Sequence, residues 1–186
     1  PFVVPALISS TDDGFGRAFA ALMTLGMGTI CALIVLSQWA LRASPRRTVL
    51  SVGAFLLGAL LLGSFILTRF DLYAAAFTLA AVCAILHRRL ILGPILLGLA
   101  IATKIYPAVL LPRLVARAWK RGGSRAAFRD TAVTVGAAAA VYLPFLLVAP
   151  EGVARSVWRQ LGRPLQIESL GSGVLLALHH AAGMPL

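Results

Sequence analysis

The chain has 186 residues, of which 60% are hydrophobic and 12% charged, and its formal net charge is +11. Soluble domains carry charge on about a quarter of their residues. The low charged fraction and the long apolar runs therefore exclude a soluble globular protein and indicate an integral membrane protein. The basic residues lie in short segments between apolar runs, as the positive-inside rule describes, so the positive charge does not indicate nucleic-acid binding.

Seven apolar runs predict membrane helices in chain order. They are residues 18–41, 48–68, 72–86, 90–103, 105–115, 131–148 and 170–186. The first two are long enough to cross a hydrocarbon core of about 30 Å. The three runs between residues 72 and 115 are shorter, and short or broken helices tend to line cavities because lipid does not tolerate unsatisfied backbone groups. We predict an all-α transmembrane helical bundle, a single polytopic membrane domain over residues 1–186.

The segments between these runs predict the orientation in the membrane. A polar turn at residues 9–14 precedes the first helix and contains residues that can cap it. Basic loops are expected at residues 42–47, 88–89 and 113–129, and a long polar connection at residues 150–169. By alternation, the three basic loops lie on one side and hold eleven of the seventeen Lys and Arg residues. That side is predicted to be cytoplasmic, which leaves the short helices lining an extracytoplasmic cavity.

Lys104 lies within an otherwise apolar stretch and is followed by Tyr106 and Pro107. A charge at membrane depth costs a few kcal/mol unless it faces a cavity, a partner or the headgroup zone. Because Pro107 interrupts helical hydrogen bonding, two short segments are expected to meet at Lys104. The alternative is a lysine that only reaches for the membrane interface. We predict that Lys104 binds a phosphate, with Tyr106 contacting a sugar or acceptor.

Arg69 and Asp71 lie at the same predicted outer boundary. Each has an ordinary structural explanation, since Arg69 can extend to the interface and Asp71 can cap the next helix. The functional alternative makes Arg69 a phosphate ligand and Asp71 its orienting partner or an acceptor for a sugar hydroxyl.

A second polar cluster spans residues 159–169. It contains Arg159 and Arg163 as candidate phosphate ligands, and Gln166 and Glu168 as candidate sugar or acceptor ligands. Gln166 and Glu168 share a face only in extended backbone, for which Pro164 is suited. The alternative is an amphipathic helix at the membrane interface, with Trp158 in the interfacial aromatic belt.

Several signals of other chemistries are missing from the sequence. It has no glycine-rich nucleotide loop, no Cys/His spacing typical of a metal site and no Asp-x-Asp pair. We therefore expect no cofactor and no metal, so that arginine and lysine would neutralise a leaving group.

Three segments carry a resemblance to a known family. Residues 69–73 (RFDLY), 98–107 (GLAIATKIYP) and 166–170 (QIESL), in this order and spacing, resemble the family 87 glycosyltransferases, and the similarity extends from about Arg17 onward. These are polytopic type C enzymes that use polyprenyl-phosphate mannose. The resemblance implies an extracytoplasmic active site and an inverting, metal-independent transfer. Lys104, Arg69 and residues 159–168 match polar outer-face positions of the family.

The family carries its proposed catalytic carboxylate in the first outer loop, and Asp12 and Asp13 do not match that motif. We expect the sequence to be a fragment of a longer protein that lacks the N-terminal helix and this loop, with the general base upstream of Pro1. The expected function is transfer of a hexose, with mannose as the expected sugar, from polyprenyl phosphate to a hydroxyl of a glycan or glycolipid at the plasma membrane. The alternatives are a transporter or lipid-handling protein that binds an anion without chemistry, and a non-catalytic subunit of a membrane assembly.

Overall fold

A computed structural model describes residues 3–8, 11–63, 66, 71–161 and 170–182. All regular elements within these residues are helices. Three helical stretches are long and apolar enough to cross a membrane: Asp12–Ala40, Pro45–Leu62 and Tyr106–Val148, of which the last joins a 3₁₀ helix to the α-helix that follows it. The predicted all-α membrane bundle is confirmed for the described part of the chain. The chain separates into two compact units, Pro1–Tyr142 and Leu143–Leu186.

Among the described residues, the bounds of eight α-helices and one 3₁₀ helix are defined. In chain order they are α1 (Val3–Ile8), α2 (Asp12–Ala40), α3 (Pro45–Leu62), α4 (Asp71–Leu86), α5 (Leu92–Thr103), the 3₁₀ helix Tyr106–Leu110, α6 (Leu111–Val148), α7 (Pro150–Leu161) and α8 (Leu170–Ala182).

Polar residues define where the first long helices begin. The Thr11 hydroxyl accepts a hydrogen bond of 3.3 Å from the backbone N–H of Gly14, so the predicted polar turn does cap α2. Ser44 caps α3 in the same way through the N–H of Arg47, and Pro45 occupies the start of that helix. Both are ordinary N-terminal signals, since these side chains satisfy N–H groups that lack a partner within the helix.

The surface of α3 is mostly apolar. Of its residues only Ala59 is buried, whereas Leu57, Leu60 and Leu61 are exposed. An apolar surface of this extent is unfavourable in water but suits contact with lipid.

The contacts of α4 establish the direction of its neighbours. The Tyr73 hydroxyl donates to the carbonyl oxygen of Leu22 at 3.3 Å, and His87 Nε2 lies 3.2 Å from the carbonyl oxygen of Leu36. Helices α2 and α4 therefore run parallel. Helix α5 runs antiparallel to α4, because Lys104 at its end pairs with Asp71 at the start of α4. We call the end of the first unit that contains Asp71 and Lys104 the Lys104 end. The opposite end contains Arg42, Arg88 and Arg89, and we call it the basic end.

A sharp reversal divides α6. Gly122 and Gly123 have non-helical backbone, and Gly123 has a φ of 64°, which glycine adopts without the steric cost of a side chain. Across the reversal, Arg121 Nη2 lies 3.0 Å from Asp130 Oδ2. Nine residues of straight helix would separate these positions by about 13.5 Å along the axis, so the contact requires the chain to turn back.

The prediction that residues 113–129 form a basic loop is therefore wrong. They are helical on both sides of the two glycines. The physical reason is that arginine, lysine and alanine, which dominate this stretch, are strong helix formers despite the charge. Two glycines suffice for the reversal.

The returning part of α6 packs against α5 at Gly98. A Cβ atom on Gly98 would lie 2.8 Å from Cβ of Ala137 and still closer to the carbonyl oxygen of Thr134. Four residues further along α5, the Tyr142 hydroxyl donates to the carbonyl oxygen of Ala102 at 2.8 Å. Residues 124–142 thus run parallel to α5 and bring Tyr142 to the Lys104 end.

The second unit contains the end of α6, α7 and α8. Residues 150–169 were predicted to be a polar connection, but the first twelve form α7. This helix is amphipathic: Val153 is partly buried, whereas Arg155 and Arg159 are exposed. Trp158 is also exposed. These features agree with the interface-helix alternative for this segment, and the rest of it, residues 162–169, lies outside the described residues.

Candidate functional site

The predicted break at Lys104 is confirmed. Helix α5 ends at Thr103, and Lys104 has extended backbone, with φ of −152° and ψ of 150°. Its N–H donates to the carbonyl oxygen of Ala100 at 3.0 Å, which completes the last turn of α5. Pro107 lies in the first turn of the following 3₁₀ helix, where its missing N–H leaves no helical bond unmade. Pro107 and the extended backbone together prevent one continuous helix.

The Lys104 ammonium forms an ion pair with the Asp71 carboxylate. Asp71 is the first residue of α4, where the helix dipole favours a negative charge. Lys104 caps the C-terminus of α5, where the dipole favours a positive charge. The side chains are 38% exposed for Lys104 and 53% for Asp71. The pair is therefore accessible from solvent, and ion pairs of such exposure contribute little to stability.

Two tyrosines lie at the same end of the first unit. Tyr106 follows Lys104 by two residues and is 49% exposed. The Tyr142 hydroxyl reaches the carbonyl oxygen of Ala102, one of the last carbonyls of α5. We did not select Tyr142 from the sequence, although the alternation of helices placed the end of the 131–148 run on this side.

The structure brings together some of the predicted site residues. Lys104, Asp71 and Tyr106 lie at the Lys104 end of the first unit. Within the described residues, Asp71 pairs with Lys104, and its predicted pairing with Arg69 stays a prediction. Arg159 is exposed on α7 of the second unit. The remaining candidates, Arg69, Arg163, Gln166 and Glu168, lie outside the described residues.

The described part of the Lys104 end combines a cation, a carboxylate and phenol groups. An ammonium can hold a phosphate as a point charge, and a carboxylate or phenol can bond to sugar hydroxyls. Within the described residues there is no group of three or more His, Cys, Asp or Glu that could hold a metal ion. The chemistry of this end suits binding of an anionic group next to a polyhydroxyl group.

Comparison with known proteins gives the family of the chain. No curated protein and no solved structure matches it. The sequence profile of glycosyltransferase family 87 matches residues 1–180, which is nearly the whole chain. This agrees with the resemblance carried by the RFDLY, GLAIATKIYP and QIESL segments, and with the apolar helices. The chain therefore belongs to glycosyltransferase family 87 and is a membrane glycosyltransferase.

Proposed function

We propose that the protein transfers a hexose, specifically mannose, from a polyprenyl phosphate to a hydroxyl group of a glycan or glycolipid. The observation that carries this proposal is the Asp71–Lys104 pair at the break between two short apolar segments, in a chain of family 87. A lipid-linked donor keeps its sugar phosphate at the membrane surface. A cation at the end of a membrane helix is well suited to meet it there.

The proposed reaction is an inverting displacement without a metal. The acceptor oxygen attacks the anomeric carbon as an aspartate or glutamate removes its proton, and the bond from that carbon to the phosphate oxygen breaks. Polyprenyl phosphate leaves with the bonding electron pair. We assign the general base to no residue of this sequence.

Lys104 would stabilise the negative charge that develops on the departing phosphate. This charge is more concentrated in the transition state than in the bound donor, so an ammonium aimed at it accelerates the reaction. We propose Arg69, Arg159 and Arg163 as further ligands of the phosphate. Asp71, Tyr106, Gln166 and Glu168 are the proposed ligands of the sugar or acceptor; for Asp71 this is in addition to its pairing with Lys104.

The distribution of charge supports an extracytoplasmic site, and we propose the plasma membrane as its location. Arg42, Arg88 and Arg89 lie at the basic end of the first unit, and Asp71 and Lys104 lie at the opposite end. The reversal at Gly122–Gly123 brings further basic residues of α6 to the basic end. Because cytoplasmic loops are enriched in Lys and Arg, we propose that the Lys104 end faces outward.

The test is transfer of radiolabelled mannose in membranes that contain the full-length protein. Polyprenyl-phosphate mannose should serve as donor, whereas a nucleotide-linked mannose should not when lipid carriers have been extracted. Transfer should continue in the presence of a chelator. Transfer from the nucleotide sugar alone would refute the proposed donor. Binding of polyprenyl phosphate without any transfer would favour the lipid-handling alternative.

A further inference from the structure

The first unit contains an apolar groove at its basic end, away from the Asp71–Lys104 pair. It has a volume of about 710 Å³ and lies between α4, α5 and the first part of α6. Its walls include Ile85, Leu97 and Leu114. A closed apolar cavity of roughly 150 Å³ is already large enough to bind benzene. The groove therefore has room for a substantial hydrocarbon ligand.

Three cations line one side of the same groove. Arg113, Arg117 and Lys120 are spaced four and three residues apart, so they form one stripe along the first part of α6. All three are exposed. Arg117 is tied to the wall, because its Nη2 donates to the carbonyl oxygen of Ile85 at 2.8 Å.

A carboxylate at this end of the first unit, that of Asp130, is already paired with other arginines. Asp130 is buried, with 1% of its surface exposed. Its Oδ1 accepts from Arg129 at 2.9 Å and its Oδ2 accepts from Arg121 at 3.0 Å. Asp130 is thus paired with two arginines that do not line the groove, and the residues lining the groove include no Asp or Glu.

We propose that this groove binds an anionic membrane phospholipid, with an acyl chain against the apolar wall and the phosphate against Arg113, Arg117 and Lys120. Charge complementarity selects an anionic occupant, and the continuous apolar wall selects one with a hydrocarbon chain. Anionic phospholipids are concentrated in the cytoplasmic leaflet, where the excess of basic residues places this end of the protein. The inference concerns a second lipid site; it rests on the proposed orientation in the membrane but not on the proposed transfer reaction.

Native mass spectrometry of the full-length protein in mild detergent tests this proposal. The protein is titrated with phosphatidylglycerol or, separately, with phosphatidylcholine. We expect one phosphatidylglycerol to bind in preference to phosphatidylcholine. The charge-removing variant is R113Q/K120Q, which leaves the Arg117–Ile85 bond in place. Each basic residue near a membrane surface contributes about fivefold to the binding of anionic lipid, so removal of two should lower the affinity about 25-fold.

Two further variants distinguish lipid binding in the groove from attraction of lipid to the overall positive charge of the basic end. R46Q/R125Q removes the same charge from exposed positions that do not line the groove, and should leave the affinity unchanged. A116W fills the groove from an exposed position without a change of charge, and should reduce binding. Equal loss in R113Q/K120Q and R46Q/R125Q would overturn the proposal. The proposal would also be overturned by equal affinity for phosphatidylcholine or by full binding of phosphatidylglycerol to A116W. Retention of a polyprenyl phosphate in place of phospholipid would overturn it as well.

Discussion

The contact between α5 and the returning part of α6 predicts a strong effect of Gly98→Ala. The added methyl group would lie 2.8 Å from Cβ of Ala137 and 3.1 Å from the backbone nitrogen of Ala138, and closer still to the carbonyl oxygen of Thr134. Carbon atoms at Cβ positions essentially never approach other atoms to within 3.0 Å. Since the nearest atom belongs to the backbone, rotation of a side chain cannot relieve the overlap. The two helices have to move apart.

Two opposing terms set the size of this effect. Overpacking typically costs 1–3 kcal/mol, and a rigid backbone contact belongs at about the upper end of that range. Replacement of glycine by alanine within a helix contributes about 1 kcal/mol in the opposite direction. The net expectation for Gly98→Ala is a loss of about 2 kcal/mol in the free energy of unfolding.

The matched control is Gly136→Ala in the returning part of α6. A Cβ atom on Gly136 would meet nothing within 4 Å. Only the helix-propensity term applies, and the variant should gain up to about 1 kcal/mol. Gly136 lies two residues from both Thr134 and Ala138, which are backbone contacts of Gly98. The same chemical change is therefore expected to have opposite effects on stability at these two neighbouring glycines.

The measurement is reversible unfolding of the purified protein in mixed detergent micelles of increasing dodecyl sulfate content, with helicity followed by circular dichroism. Sugar transfer should also fall in Gly98→Ala, because Tyr142 contacts Ala102 only one turn away from Gly98. Equal stability of the Gly98→Ala and Gly136→Ala variants would refute the close packing of α5 on α6.

Three further predictions concern the proposed site and its orientation. Lys104→Met should retain folding but lower the rate of transfer by roughly 10²–10³-fold, the scale for loss of one donor to a developing negative charge. Lys104→Arg should retain only part of the wild-type transfer. Transfer is measured in membranes and normalised to folded protein, and a near-normal rate for Lys104→Met would remove Lys104 from the site. Asp71→Asn should change stability by about 1 kcal/mol or less, since a negative charge at a helix N-terminus contributes up to about 1 kcal/mol and the ion pair is exposed. Transfer should fall about tenfold, since a hydrogen bond to a charged group contributes about 1.5 kcal/mol. Unchanged turnover would leave Asp71 a purely structural role. In a protein with Cys31 and Cys83 replaced, single cysteines introduced at Ser124 and Asp12 should react with impermeant reagents from opposite sides of the membrane. The cysteine at position 124 should react from the cytoplasm. Labelling of both positions from one side would contradict the proposed orientation.

The apolar runs and their caps were sufficient to predict most of the helices. The Thr11 cap and the break at Lys104 were predictable because they depend on local chemistry: a hydroxyl before a helix, and a lysine followed by Pro107. Local signals of this kind act within one turn of helix, and a single sequence contains them in full.

The helices of polar composition could not be predicted from hydropathy. The basic residues of α6 and the mixed residues of α7 were expected to form connections, but both segments are helical. Hydropathy measures preference for lipid, whereas helix propensity depends on the backbone and side-chain entropy, and lysine and arginine score oppositely on the two scales. The Gly122–Gly123 pair was the available signal for the reversal.

Pairing between residues far apart in the chain was the other feature that could not be predicted from the sequence. Alternation placed Asp71 and Lys104 on one face, but the direct pairing of these two residues required the antiparallel contact of α4 and α5. The two charges meet because Asp71 begins α4 and Lys104 follows the end of α5, and antiparallel helices bring those termini together.

The exposure of this pair has a consequence for the proposed chemistry. A fully buried ion pair would resist entry of a phosphate, since any new arrangement would leave one charge desolvated without its partner. The Asp71–Lys104 pair keeps both side chains partly in solvent and is held by a small free energy. A phosphate could therefore take Lys104 from Asp71 at little cost. The released carboxylate would then be adjacent to the sugar, and free to accept a hydrogen bond from one of its hydroxyls. In this scheme the two roles proposed for Asp71 follow one another: it holds Lys104 in place before the donor arrives and contacts the sugar afterwards.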